Sequence, residues 1–571
     1  MSERAKSRPK TGKGEVDELV FMALGGLGEI GMNVYLYGFG PEKSRQWLMV
    51  DLGVTFPHDM EPGADVVLPD LRFIVAERKN LVGLILTHAH EDHVGAVIDL
   101  WPSLGCPIFA TPFTARMVKT KLGELGISQS FPIKEVPLGG RFKVGSFDIE
   151  FVSLAHSIPE PNGLAIRTPA GLVFHTGDWK LDPTPIVGKP HDAEKLKALG
   201  DEGVLALVGD STNAIREGRS ASEADVAKSL KKIISNAPRG VAVTLFASNV
   251  ARIASVSEAT NAAGRTLVVA GRALHRIIEV AIETGYLPKG FTYLDQQRFF
   301  DLQRDKTVVL CTGSQGEPRA AMARIAENEH PDISLEKGDL AIFSSRTIPG
   351  NEKAVARVQN GLARLGVDVI TDAEAPVHVT GHPRRDELRD MYAWLRPRIA
   401  VPMHGEARHL REHAKLARAC GVTETFTIID GEMLKLAPAP ASVIDEAPVG
   451  RLFRDGNLIV PEAEGPVKAR RKLSFVGIAV VALTLSRRGE PLGEPGVVLE
   501  GIPAADADGD AMQDIILDAI DGTLRSIPPK RRSDLTMVQD AVQRAVRAAI
   551  NEAWGKKPVV KVLLSVVEAR G

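Results

Sequence analysis

Thr87-His88-Ala89-His90-Glu91-Asp92-His93 decides the reading of this chain. It follows the apolar run Val82-Gly83-Leu84-Ile85-Leu86, which predicts a buried strand. Three imidazoles and a carboxylate therefore sit at one strand end, where a loop can turn them inward. The spacing lets His88 and His90 face one point while Asp92 and His93 face a neighbouring one. Imidazole with carboxylate suits zinc or manganese. These residues cannot close two coordination shells, so other donors must come from elsewhere. His156 ends the strand-like run from Phe147, Asp178 ends the run from Leu172, and His404 ends the run from Ile399. Alone, each reads as a structural histidine or a turn aspartate; together they supply the missing donors.

Working outward, the chain has 571 residues, which predicts two to four domains. Hydrophobic residues make up 44% and charged residues 25%, which excludes a disordered, collagen-like or coiled-coil chain. A net charge of −2 argues against a uniformly basic nucleic-acid coat and leaves room for a local basic groove. Cys106, Cys311 and Cys420 are too few and too scattered for a disulfide framework or a cysteine-rich zinc knot, and they fit a reducing cytoplasm. The polar N-terminus carries no apolar core, and the run Phe475–Leu485 is too short to span a bilayer. A cytoplasmic protein without a membrane segment, with a frayed tail over 1–17, is the expectation.

From Val20 to about Ser220, short alternating runs predict half-buried strands, with a helical piece at Thr114–Leu125. From about Ser222 to Asp372, helical and apolar stretches alternate as in a mostly parallel α/β unit. Short strands return over 376–450, with a helix near 405–419. A polar connector is expected over 448–467. The tail opens on the basic run Lys468–Lys472, followed by strands. Ile515, Ile516, Ala519, Ile520 and Leu524 share one helical face, and Val538, Val542, Val546 and Ile550 another. Gly26-Leu27-Gly28-Glu29-Ile30-Gly31, with Asp51 beyond it, mimics a dinucleotide fingerprint. That motif needs a helix after its glycines, whereas Asn33–Tyr37 reads as a strand, so a tight β-turn is predicted.

The motifs HAHEDH, LAHS, TGD and VPMHGE resemble the successive metal motifs of the metallo-β-lactamase fold. The resemblance implies one metal on His88, His90 and His156, a second on Asp92, His93 and His404, and Asp178 bridging. It implies two zinc ions, with manganese as the alternative, and hydroxide attack from a shared water. The long insertion carries Asp210-Ser211-Thr212-Asn213 near its start and His378-Val379-Thr380-Gly381-His382 near its end, which is similar to the β-CASP nucleases. There Asp210 would be an orienting acid, and His382 would contact the scissile phosphate and protonate the leaving oxygen. The implied fold class is α/β: an αββα sandwich over 18–222 and 376–447, an inserted α/β β-CASP domain over 223–375, a linker over 448–467, and a small α+β domain over 468–571.

Within that group the chain resembles the bacterial ribonuclease J family, through ALGGLGEIGMN, THAHEDHVG, HSIPE, FHTGDWK, GDSTNA, FASN, CTGSQGEP, IPGNE, HVTGH and MHGE. Glu160 and Trp179 depart from the Asp and Phe expected there, and Thr380 stands for a more usual Ser. The resemblance implies 5′→3′ exoribonuclease action favouring a 5′ monophosphate, together with endonuclease action, in rRNA processing and mRNA decay. It implies a phosphate pocket from Phe246, Ala247, Ser248, Ser314, His378, Val379, Thr380, Gly381 and His382. It also implies a structural calcium at Gly63, Asp65 and Asp455. The partner would be single-stranded RNA, and the assembly a homodimer or homotetramer supported by the C-terminal domain. Of the basic clusters at Lys468–Lys472, Lys530–Arg532 and Arg384–Arg385, the last is the best placed for RNA backbone contacts. The competing readings are a DNA nuclease or small-ester hydrolase on the same scaffold, and a catalytically silent RNA-binding factor.

Overall fold

A computed structural model describes residues 16–58, 60–127, 131–463 and 465–567. Most of the expected N-terminal tail, 1–15, lies outside the described residues. The chain forms two compact units. One runs to Thr55 and resumes over Val67–Arg451; the other joins Phe56–Val66 to the chain from Leu452 onward.

The alternating runs of the first unit build two sheets. An 8-stranded sheet has the order Ser442–Glu446, Glu432–Ala437, Glu18–Gly25, Val34–Gly40, Gln46–Val50, Leu81–Ile85, Ile108–Ala110, Ile133–Glu135. A 7-stranded sheet has the order Glu424–Thr425, Ile399–Met403, Val204–Asp210, Gly171–His175, Asn162–Thr168, Phe147–Ser153, Arg141–Val144. Phe21, Tyr35, Tyr37, Phe109, Phe147, Phe151, Ile166 and Val401 fill the space between them. The far face of the second sheet is covered by helices Ala193–Glu202, Arg385–Leu395 and Ala407–Ala419 through Leu196, Leu199, Leu388, Met391 and Leu416. Helix Pro112–Glu124 packs along the end strands of the first sheet. The layers are helix, sheet, sheet, helix. No helix follows Gly26–Gly31; the glycines turn at positive φ into the strand Val34–Gly40.

The inserted stretch forms a 6-stranded sheet, ordered Leu294–Asp295, Thr266–Ala270, Thr307–Cys311, Val241–Thr244, Leu340–Phe343, Asp368–Ile370, with every pairing parallel. Helices cover both faces, which is why these strands read as near-continuous apolar runs. Ala89, Phe113, Met117 and Ile158 pack into the same core as Val226, Leu230, Leu274 and Ile277. In parallel sheets ligands bind beyond the carboxyl ends of the strands. Here those ends lead into 245–249, 271, 312–315 and 344–348. Wholly buried Arg252 pairs with Glu223 at 2.8 Å and donates to the carbonyls of Ser344 at 3.1 Å and Val377 at 2.8 Å. It thereby fixes the segment that leads to His378.

In the second unit, the stretch expected as a connector holds a β-hairpin. Leu452 pairs with Pro461 and Asp455 with Leu458 around the two-residue turn Gly456-Asn457. Gly456 has φ +61°, which glycine adopts freely. Lys468–Lys472 lies in a helix, Pro466–Val476, with Pro466 in its first turn and Gly477 at its end, so a helix precedes the strands there. The sheet Gly496–Glu500, Ile478–Ser486, Val559–Val567 buries one face against helices Met512–Ser526 and Leu535–Trp554. Ile516, Ile520, Leu524, Val538, Val542, Val546 and Ile550 form that contact.

Candidate metal centre

The strand Leu81–Ile85 delivers His88 to the carboxyl edge of the first sheet, and the short helix Glu91–Val94 carries Asp92 and His93. The second sheet supplies His156 after Phe147–Ser153, Asp178 after Gly171–His175, Asp210 at the end of Val204–Asp210, and His404 after Ile399–Met403. All these donors converge. His88 Nε2 and His156 Nε2 each lie 3.1 Å from His90 Nδ1, and Asp178 Oδ2 is 3.9 Å from His88 and 3.7 Å from His156. On the other side, His404 Nε2 is 3.3 Å from Asp92 Oδ2, and His93 Nε2 is 3.3 Å from Asp178 Oδ2.

The outer partners set the tautomers. His156 Nδ1 faces the carbonyl of Gly381 at 2.6 Å, so it donates, and the lone pair of Nε2 points into the cluster. His93 Nδ1 donates to Asp51 at 2.7 Å with the same result. Thr87 Oγ1 donates to Asp51 at 2.8 Å, which leaves it to accept from His88 Nδ1 at 3.0 Å. Lone pairs of His88 and His156 Nε2 aimed at one point suit a shared cation. Burial drives His88 and His156 well below the ordinary imidazole range and His90 down to about 4, so this trio stays neutral as ligands must. Burial also opposes charge on His93 and His404, but the surrounding carboxylates win: Asp178 first raises His93, and Asp178, Asp210 and Asp92 hold His404 up at about 10, so these two favour a positive charge that a metal would supply by displacing their protons. Asp178 Oδ1 is buried without a hydrogen-bond partner. The donor set therefore fits divalent metal in two groups that share Asp178: His88, His90, His156, and Asp92, His93, His404. Asp178, Asp210, His382 and His404 form a third close group, but there His382 Nδ1 and Asp210 Oδ2 are spent on each other at 2.8 Å.

Comparisons with known proteins match this architecture. Residues 60–196 match a beta-lactamase superfamily domain, 238–362 the ribonuclease J beta-CASP domain, 366–428 a Zn-dependent metallo-hydrolase RNA specificity domain, and 465–567 the ribonuclease J C-terminal domain. A ribonuclease J from Sinorhizobium meliloti is 51% identical over 551 residues, covering 96% of this chain and 98% of its own. The chain belongs to the ribonuclease J family. The ribonuclease J of Thermus thermophilus is 34% identical over 96% of this chain and 95% of its own, and that of Corynebacterium glutamicum is 36% identical over 97% and 76%. A crystal structure of a protein of unknown function from Enterococcus faecalis V583, 17% identical with a TM-score of 0.50 over 73% of this chain and 100% of that one, shares the fold alone. This member of the ribonuclease J family is thus an enzyme on the metallo-β-lactamase scaffold, with an inserted β-CASP domain and the family's C-terminal domain. No helix among the described residues is long and apolar enough to cross a membrane.

Sequence reasoning missed the residues that orient the ligands. Asp51 holds both Thr87 and His93; in the sequence it registered only as part of the false nucleotide fingerprint. Its φ of +63° and the +51° of His404 are strained for non-glycine residues, and both lie at this centre. Asn33 donates to the carbonyl of Asp92 at 3.0 Å, and Thr212 Oγ1 lies 2.8 Å from His404 Nδ1. Asp51→Asn should lower zinc affinity about 10–100-fold, because second-layer partners set ligand orientation and basicity. Competition with a chromophoric chelator measures this, and unchanged affinity would show that Asp51 plays no such part.

The residues expected to grip phosphate fall into two places. His378–His382 runs beside the donors. A Cβ on Gly381 would come within 2.6 Å of the His156 ring, so glycine is needed there, and Thr380 Oγ1 accepts from Asn213 at 2.9 Å. Val379 is buried in the core between helices and strands. Phe246, Ala247 and Ser314 instead line a cavity of about 470 Å³ with Arg272 and Thr312, and Ser248 follows on the same loop. Glu160 accepts from Phe113 N–H and Tyr286 O–H, both at 2.8 Å, which uses the extra reach of Glu over Asp. The calcium expectation meets an obstacle. Asp455 is neutralised by Arg470 at 2.8 Å, the same guanidinium fills the space at Gly63, and Asp65 accepts from Gly456 N–H at 2.9 Å. Arg470 thus lies against Asp455 and Gly63.

Proposed function

We propose that the chain is a metal-dependent ribonuclease that degrades single-stranded RNA from 5′ to 3′, favours a 5′ monophosphate, and also cleaves internally. The observation that carries this reading is the convergence of seven donors on two points sharing Asp178, with the His382–Asp210 pair against it. His88, His90 and His156 would hold one zinc or manganese, and Asp92, His93 and His404 the other. Bound there, a cation pair lowers the pKa of water and neutralises charge developing on phosphate.

The chain's own residues then position and protonate. Asp210 accepts from His382 Nδ1 and from Thr212, so the ring is held in one orientation with Nε2 left for substrate. Burial opposes charge on His382, but Asp210 and Asp178 raise it above its ordinary range, the direction that suits a proton donor to a leaving oxygen. The family likeness supports cytoplasmic RNA turnover and a homodimeric or homotetrameric assembly.

One RNA prepared with a 5′ monophosphate, triphosphate or hydroxyl tests the reading. Mononucleotides should appear fastest from the monophosphorylated form, with internal fragments from all three. Equal rates from the three ends would remove the 5′ preference. Hydrolysis of the DNA counterpart or of a chromogenic ester in place of RNA would favour the other hydrolases.

A further inference from the structure

Arg384 and Arg385, adjacent in sequence, have different fates. Arg385 Nε pairs with Glu217 at 2.8 Å, and Arg385 Nη1 donates to the carbonyl of Ala214 at 3.1 Å. Arg384 has no carboxylate within ion-pair distance among the described residues; its Nε, like that of Arg385, is buried without a hydrogen-bond partner. Two other guanidiniums also lack a carboxylate within that distance among the described residues: Arg216, exposed just after Asp210–Asn213, and Arg346, exposed just after the strand Leu340–Phe343.

The three belong to loops that are stitched together. Arg385 N–H donates to the carbonyl of Arg216 at 3.0 Å, and Asn213 donates to Thr380 Oγ1 at 2.9 Å and to the carbonyl of His382 at 3.3 Å. Arg252 binds the carbonyls of both Ser344 and Val377, and Gln315 donates to the carbonyl of Arg346 at 2.9 Å. Partial desolvation and repulsion from Arg216 and Arg384 push Arg346 below the ordinary arginine range, with Asp372 offsetting this only in part. His378, partly buried beside these loops, keeps an Nδ1 without a hydrogen-bond partner and feels the charge of Arg252 and Arg346. Like charges held together without counter-ions cost energy, and a folded chain keeps such an arrangement where an anion completes it.

We infer that Arg216, Arg346 and Arg384 form a phosphate-gripping subsite for the RNA chain beside His382, apart from the metal donors. It rests on the ribonuclease reading and adds to it an electrostatic contact outside the scissile group. Planar guanidiniums suit phosphate oxygens through paired N–H donors. The phosphate is either a backbone phosphodiester or the 5′-terminal group, which share this chemistry.

The test measures binding of labelled single-stranded RNA, 5′-phosphorylated or 5′-hydroxyl, to the full chain carrying His88→Ala to prevent cleavage, over a range of salt. Arg216→Gln, Arg346→Gln and Arg384→Gln should each weaken binding about tenfold at low salt. Each should also reduce the slope of log affinity against log salt by about 0.7. Arg346→Lys should keep the slope, and Arg385→Gln should leave it unchanged because that side chain is already paired. Weakening of both RNAs assigns a backbone phosphate, and weakening of the phosphorylated RNA alone assigns the terminal one. If the parent binds RNA and none of the three variants changes affinity or slope, the subsite is wrong and the ribonuclease reading stands. If the parent binds no RNA, both fall.

Discussion

Asp178→Ala should reduce RNA hydrolysis to background while the protein stays folded. Asp178 approaches His88, His93, His156, His382 and His404 within 3.3–3.9 Å, so it is the one carboxylate common to both donor groups. On the proposed function, its loss would remove the carboxylate common to both donor groups, and with it several kcal/mol of transition-state charge stabilisation, a rate loss of at least about 10³-fold. It would also leave His93 and His404 without the charge that most raises their pKa, so both should lose protons more readily. Single-turnover cleavage of an end-labelled RNA reads the rate, and circular dichroism reads the fold. A variant that cleaves at wild-type speed would remove Asp178 from the centre.

His382→Ala should slow cleavage by about 10²–10⁴-fold with metal content unchanged, the range for loss of a positioned proton donor. The pairing at 2.8 Å with Asp210 predicts that Asp210→Asn shares much of this loss, and that the double variant is far from additive. Metal analysis separates the two predictions: Asp178→Ala should lose metal, whereas His382→Ala should retain it. If His382→Ala lost metal to the same extent, the third donor group would be a metal site and His382 a ligand.

Much of this centre was legible in the chain. Every donor follows an apolar strand, and strand ends are encoded locally by alternation and by the loop residues that follow. The parallel sheet of the insertion could be read for the same reason, since burial on both faces leaves an unbroken apolar run. Harder to read were elements whose character depends on neighbours. The hairpin after Leu452 is short and half-exposed, so composition alone resembled a connector. The calcium positions read as an oxygen set only until Arg470, on a helix the sequence did not suggest, arrived beside them.

By itself, then, the amino-acid order determined the inventory and sequence of donors and the layered α/β class, because residue chemistry and hydrophobic periodicity are local properties. Tertiary structure alone decided which nitrogen of each imidazole faces inward, since that depends on hydrogen bonds such as His156 to Gly381, formed between residues 225 positions apart. It also decided which arginines are neutralised and which remain open, because charge pairing depends on distance through space and the order of residues along the chain does not set that distance.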